Sequence, residues 1–177
     1  MTTQKLTPTI RLGTVDDASL LAELGARTFH DTFAADNAPE DMAAYLASSF
    51  SPEKQAAELV EPDVTFFIAE FEGAAAGYAQ IRAGEVPACV AHRRSIELVR
   101  MYVSREWFGR GVGEALMEAC IEAAGHAGYQ SMWLGVWERN GRAQAFYRKW
   151  NFQVVGQHVF QLGSDPQADF LMERSQS

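Results

Sequence analysis

Three glycines fall within five residues at Gly109, Gly111 and Gly113, directly after an apolar, β-branched run at 96–103. Downstream, Val112, Leu116, Met117, Cys120, Ile121 and Ala124 recur at helical spacing. A strand, a glycine turn and a helix N-terminus make a site for a phosphate-bearing ligand. Free N–H groups and the helix dipole attract the anion, and glycines let the backbone approach it. Two nucleotide motifs fail here. A P-loop needs Lys then Ser or Thr after its last glycine, whereas Gly113 precedes Glu114 and Ala115. A dinucleotide turn needs GxGxxG, and the spacing is GxGxG. Within the strand run, Glu97 is a second candidate, because an acid among apolar residues costs energy unless it is paired or functional. A solvent-facing position, or a pairing with Arg100, is the structural alternative.

The turn resembles the pyrophosphate loop of the GCN5-related N-acetyltransferases, (Gln/Arg)-x-x-Gly-x-(Gly/Ala), laid on Phe108, Gly109, Arg110, Gly111, Val112 and Gly113. Phe108 departs from the Gln or Arg of that pattern; the backbone anion site does not depend on it. A second signature, Asn-x-x-Ala-x-x-Phe-Tyr-x-x-x-Gly-Phe, resembles residues 140–152, NGRAQAFYRKWNF, with matches at Asn140, Ala143, Phe146, Tyr147 and Phe152. Asn151 stands where Gly is usual, and Asn also tolerates the left-handed conformation that ends a helix. The resemblance spans residues 63–173, and more loosely the whole chain. The run TFHDTF and the following NAPEDMAAYL look like the polyamine and diamine acetyltransferase branch, a less specific match.

The resemblance implies a twisted mixed α/β sheet, in three layers, with helices on both faces. It implies acetyl-CoA as co-substrate, without a metal, bound between two splayed parallel strands at 97–103 and 132–136. Met101, Tyr102 and Val103 would meet pantetheine through their backbone. The turn from Phe108 to Glu114, with Asn140 nearby, would serve the rest of the cofactor, and Arg105 or Arg110 could meet phosphates. Tyr147 matches the family tyrosine that protonates the leaving thiolate; its bland alternative is a core aromatic. Glu97 lies fourteen residues before Gly111, the offset of a family glutamate that accepts the amine proton. The implied reaction is direct attack of a primary amine on the thioester, with a polyamine or other small amine as first choice. A protein lysine or N-terminus, an antibiotic, or a non-catalytic acyl-CoA-binding regulator is the alternative. Homodimers are common among relatives, and the sequence leaves oligomeric state open.

The elements that must position these groups follow from period and punctuation. The 177 residues, 47% hydrophobic and 21% charged, suit one domain with a sizeable core, divided into an acceptor-side segment 1–62 and a cofactor-binding core 63–177. A net charge of −8 argues against nucleic acid and anionic membranes as partners and favours a cationic one, although it also serves solubility. No membrane span or signal peptide is evident, and Cys89 and Cys120 form no disulfide or zinc pattern, so cytoplasm is the expected compartment. Neither cysteine has an activating pattern beside it, so a covalent route is disfavoured. The four histidines share no metal-ligand spacing, and only His30 falls near the acceptor-side segment. A strand at 8–12 precedes a helix opened by Thr14 and ending near Phe33; two Pro-initiated helices follow, at Pro39 and Pro52. Acids Asp31, Asp36, Glu40 and Asp41 are interleaved with Phe29, Phe33 and Tyr45, a composition able to hold an ammonium or simply a solvated face over a core. Strands are expected at 64–71, 75–82, 96–103, 132–136, 152–162 and 169–172, with helices at 112–126 and from Asn140.

Overall fold

The computed structural model describes residues 7–176; the first part of the N-terminal segment read above lies outside them. One seven-stranded sheet runs through the molecule in the order β1-β2-β3-β4-β5-β7-β6. Its strands are β1 (Thr9–Leu12), β2 (Val64–Phe71), β3 (Ala74–Arg82), β4 (Ser95–Val103), β5 (Ser131–Trp137), β6 (Gln153–Leu162) and β7 (Asp165–Ser175). Every neighbouring pair is antiparallel except β4 with β5. Helices α1 (Ala18–Phe33), α2 (Pro39–Ser49) and α3 (Pro52–Leu59) belong to one side, α4 (Val112–His126) and α5 (Gly141–Lys149) to the other.

Local chemistry explains most element ends. Ser51 Oγ accepts the Lys54 N–H at 3.1 Å and starts α3, with Pro52 at its first position. Asp17 Oδ2 accepts the Thr14 N–H at 2.8 Å, the returning half of a capping box. The first turn there, Val15–Asp17, is 3₁₀ rather than α. Arg11 then ties three elements together, gripping both Asp17 oxygens at 2.8 and 2.9 Å and Glu70 Oε1 at 2.8 Å. Asn151 adopts φ 65 after α5, the left-handed ending expected of it. β7 exceeds the expected 169–172 because β5 and β6 both pair with it, so ladder bonds carry the strand through polar residues.

The main core lies between the sheet and α4, where Leu116, Met117 and Cys120 meet Ile81, Leu98 and Leu134 at full or near-full burial. The opposite face carries two smaller clusters, Leu21 with Ile68 and Tyr78, and Phe29 with Met42 and Phe50. Between β3 and β4 the register slips: Ile81 faces Leu98 while Gln80 faces Arg100, leaving Val99 as a bulge. Ile96 and Leu98 before it, and Met101 and Val103 after it, all face the α4 core. Glu97, Arg100 and Tyr102 therefore share the other face.

Gly77 makes this pairing possible, since a Cβ there would stand 2.5 Å from the Tyr102 carbonyl oxygen. Gly77→Ala should lower stability by about 1–3 kcal/mol, as overpacking against backbone does, read from the urea midpoint. A wild-type midpoint would show that β4 can shift freely.

Candidate active site

Strands β4 and β5 pair at only three levels, Ser95 with Ser131, Ile96 with Met132 and Glu97 with Trp133. The closed end is pinned by a 2.8 Å bond between the Ser131 and Ser95 hydroxyls. Beyond Glu97, β4 is held by β3 alone and β5 by β7 alone, so their facing edges part. A cleft of about 890 Å³ runs through this opening, from the α4 turn on one side to α1 and α2 on the other. Met101, Tyr102 and Val103 line it on the β4 edge. The Tyr102 ring is partly buried on the α1 face against Tyr78, at 5.6 Å between centroids.

At the turn, Gly109 has φ 73 and Gly111 φ 81, values that favour glycine. A Cβ on either would meet nothing within 4 Å, so the backbone surface stands open to a ligand. The first ladder bond of α4 runs from the Ala115 N–H to the Gly111 carbonyl at 3.0 Å. The N–H groups of Val112, Gly113 and Glu114 precede that ladder, at the positive end of the helix dipole. Phe108 and Glu114 also line the cleft; the Val112 side chain is buried in the core. Arg110 is not on the cleft wall, because its guanidinium lies over Trp107, 5.1 Å from the ring centre. Arg105 reaches the wall but donates to the Asp31 carbonyl at 3.0 Å. Arg142, which the motif does not include, lies 3.9 Å over the Phe108 ring and lines the cleft. A cation thus stands at the position where the family pattern carries Gln or Arg.

On α5, Asn140 caps the helix, its Oδ1 accepting the Ala143 N–H at 3.2 Å. That cap aims Tyr147 at the cleft, packed against Phe146 and Phe152 at 5.6 and 5.8 Å. Among the described residues its hydroxyl has no hydrogen-bond partner within the protein. Burial pushes the Tyr147 phenol up to about 12, so it holds its proton throughout the neutral range. Burial likewise pushes the Cys120 thiol up to about 12, which leaves no thiolate nucleophile there. Among the described residues no group of three His, Cys, Asp or Glu side chains is arranged to hold a metal ion.

A family model, the acetyltransferase (GNAT) family, matches residues 28–152. The chain belongs to the GCN5-related N-acetyltransferase family. It is 33% identical over 152 residues to a Lactobacillus delbrueckii subsp. lactis protein described as an uncharacterised N-acetyltransferase, covering 86% of this chain and 88% of that one. An uncharacterised N-acetyltransferase of Mycobacterium bovis is 33% identical over 158 residues, covering 89% and 97%. The fold is also that of the PaiA N-acetyltransferase from Thermoplasma acidophilum solved in complex with coenzyme A, at TM-score 0.78 and 21% identity over 96% and 99% of the two chains. The GNAT assignment makes this chain an acyltransferase enzyme, and the mixed sheet with its splayed parallel pair is the architecture its motifs implied.

On the α1 face of this GNAT fold, Glu97 lines the cleft at the last closed level, with Oε2 2.7 Å from Nη2 of Arg82, its register partner on β3. Arg100, the pairing alternative from sequence, instead binds Glu58 Oε2 at 3.0 Å and Gln80 Oε1 at 3.1 Å. The acid-and-aromatic segment comes together only in part. Phe29, Phe33 and Tyr45 do form a wall, with Phe29 4.5 Å from Phe33 and 4.6 Å from Tyr45. Of its acids only Asp31 lines the cleft. Asp36 faces Arg139 at 3.6 Å, Asp41 accepts from Ser164 N–H at 2.8 Å, and Glu40 is exposed elsewhere. His30 lies off the wall, whereas His158 and Asp169 are on it. Sequence reasoning missed these two and Arg142; for Asp169 the available signal was an acid opening an apolar strand run.

Gly111→Val should leave the fold standing, at about 1–2 kcal/mol for a side chain in left-handed backbone, while weakening coenzyme A binding tenfold or more. Calorimetric titration checks it, and wild-type affinity would remove this turn from the ligand site.

Proposed function

We propose that the protein moves the acetyl group of acetyl-CoA to a primary amine, and that the amine is a small di- or polyamine. The observation that carries this reading is the opened β4–β5 edge, with a bare glycine-built helix N-terminus at one end and an acid-and-aromatic wall at the other. The residues fit such a cofactor. The turn from Phe108 to Glu114 offers N–H groups to the pyrophosphate, with Arg142 and Arg105 as nearby cations, and the free edge at Met101 to Val103 offers backbone partners to pantetheine amides. Acetyl-CoA supplies a thioester, whose carbonyl the amine attacks and whose sulfur leaves as a thiolate. Tyr147 donates the proton to that sulfur, because a phenol held neutral by burial gives up its proton only as strong negative charge develops beside it. Glu97 is the base that the motif offset nominates; its ion pair with Arg82 fixes its direction at the closed end of the opening.

The acceptor reading rests on the charge of −8 and on Asp31 and Asp169 facing the cleft among aromatic rings that favour cations. A second charge on the acceptor then lowers KM without altering the chemistry.

Tyr147→Phe should cut kcat by about 10²-fold or more with acetyl-CoA affinity unchanged, because only the hydroxyl is lost. Near-wild-type turnover would return Tyr147 to a packing role. In initial-rate assays, spermidine should outperform a monoamine of equal reach and a lysine peptide, mainly through KM. Higher salt should erode that lead, since exposed charges are screened over about 8–10 Å near physiological ionic strength. Equal, salt-insensitive rates would sink the polyamine assignment alone; no thiol release with any amine would sink acetyl transfer.

A further inference from the structure

Asp169 is a buried acid that neither motif accounts for. It lies opposite Trp137 on β5 and opposite His158 on β6, so the three side chains share the sheet face turned toward α1 and α2. Its residue exposure is 8%, its Oδ1 is buried without a hydrogen-bond partner, and its Oδ2 lies 3.6 Å from His158 Nε2. Gly135 sits on the same face, two residues back along β5. A Cβ there would come within 3.4 Å of Asp169 Oδ2 and 3.4 Å of His158 Cε1. The missing side chain leaves a hollow at the inner edge of the opened strands, floored by backbone and walled by this pair.

We propose that Asp169, backed by His158, receives the acceptor: it docks the protonated amine in the hollow over Gly135 and takes its proton before attack. The inference rests on the acetyl-transfer reading above and names the group that makes the amine a nucleophile. Position favours Asp169 over Glu97. Glu97 is level with Trp133, Asp169 with Trp137, and those four residues span about 13 Å of strand. Asp169 therefore stands beside the open part of the β4–β5 edge, and Glu97 at its closed end with Arg82 already on it.

The surroundings suit a proton acceptor. From β6 comes His158; just past β5 comes the like charge of Glu138; from α2 comes the Tyr45 phenol; from α1, Asp31 lines the same cleft. Among the described residues no Lys or Arg forms an ion pair with Asp169. Burial, aided by Glu138, holds its carboxyl above the usual carboxylate range, while His158 opposes the shift. A carboxylate of raised basicity without a fixed cation stabilises an arriving ammonium and is a better base toward it.

The protons balance as follows. The ammonium binds and gives one proton to the Asp169–His158 pair, leaving a lone pair on nitrogen. That lone pair forms the C–N bond as the C–S bond breaks. Tyr147 passes its proton to sulfur and is reprotonated by the proton that the new amide nitrogen sheds. The products are the N-acetyl amine, the free thiol and one proton returned by the pair to solvent.

The test is kcat/KM for spermidine against pH in wild type, Asp169→Asn, Asp169→Glu and Glu97→Gln. Wild-type rate should fall as pH drops through the apparent pKa of the pair, since the protonated pair accepts nothing. Asp169→Asn should lose about 10²-fold near neutrality, with the deficit closing at high pH where the amine arrives already neutral. Asp169→Glu should restore part of the rate, and the melting temperature of Asp169→Asn should stay or rise because an orphaned charge is gone. Acetyl-CoA KM should not move. A binding arm independent of turnover, calorimetric titration of spermidine into the coenzyme A complex, should show at least tenfold weaker binding for Asp169→Asn. The proposal is overturned if Asp169→Asn binds spermidine as wild type does. It is equally overturned if Glu97→Gln rather than Asp169→Asn flattens the acidic limb, or if melting temperature and acetyl-CoA KM fall together. Failure of acetyl transfer itself would show as an inactive wild type across all amines, with the binding arm still deciding the role of Asp169.

Discussion

The parting of β4 from β5 after three paired levels is the constraint on which the rest of the molecule depends. A central parallel pair is ordinarily the most fully bonded part of a sheet. Here each strand is secured along its outer edge, β4 by β3 and β5 by β7, so the inner edges can remain unbonded without unravelling the sheet. Interior N–H and C=O groups left unpaired are costly, which makes this edge a standing site for a ligand that carries amides of its own. The hydroxyl bond between Ser131 and Ser95 and the ion pair of Arg82 with Glu97 close one end. The glycine turn before α4 lies at the other.

The two sides of that opening differ in kind. Toward α4 and α5 burial holds both Tyr147 and Cys120 in their protonated forms. That is a setting for giving a proton to a departing thiolate. Toward α1 and α2 it carries acids among stacked rings, with Asp169 incompletely paired. That face is complementary to a cation, and the helix N-terminus with Arg142 beside it is complementary to an anion. The strands separate the two chemistries, and the opening lets them meet.

The face turned toward α1 and α2 carries features that lower stability. A buried carboxylate oxygen without a partner costs about 1–3 kcal/mol, and Gly135 gives up packing that a side chain would supply. Arg11, bridging β1, β2 and the start of α1, and the fully buried layer under α4 offset such losses away from the cleft.

Local features were determined by the sequence alone, because their causes lie within a few residues. The glycine turn needs left-handed backbone at Gly109 and Gly111, the Asn140 cap bonds three residues on, and apolar period separates strands from helices. The family resemblance of the motifs at 108–113 and 140–152 added the mixed sheet, the splayed pair and the nomination of Tyr147 and Glu97, both of which line the cleft. What tertiary structure decided is everything set by residues far apart in the chain. Strict alternation from Glu97 would place it on the same face as Met101, but the bulge at Val99 shifts the parity and separates them. The partner of Glu97 is Arg82 on β3, not the nearby Arg100, which Glu58 on α3 claims. Arg142 reaches Phe108 from another helix, and Asp169 meets His158 only because β6 and β7 pair in one register. Short-range bonding is written in adjacent side chains, whereas register and facing depend on which strands meet, and no window of sequence contains both partners.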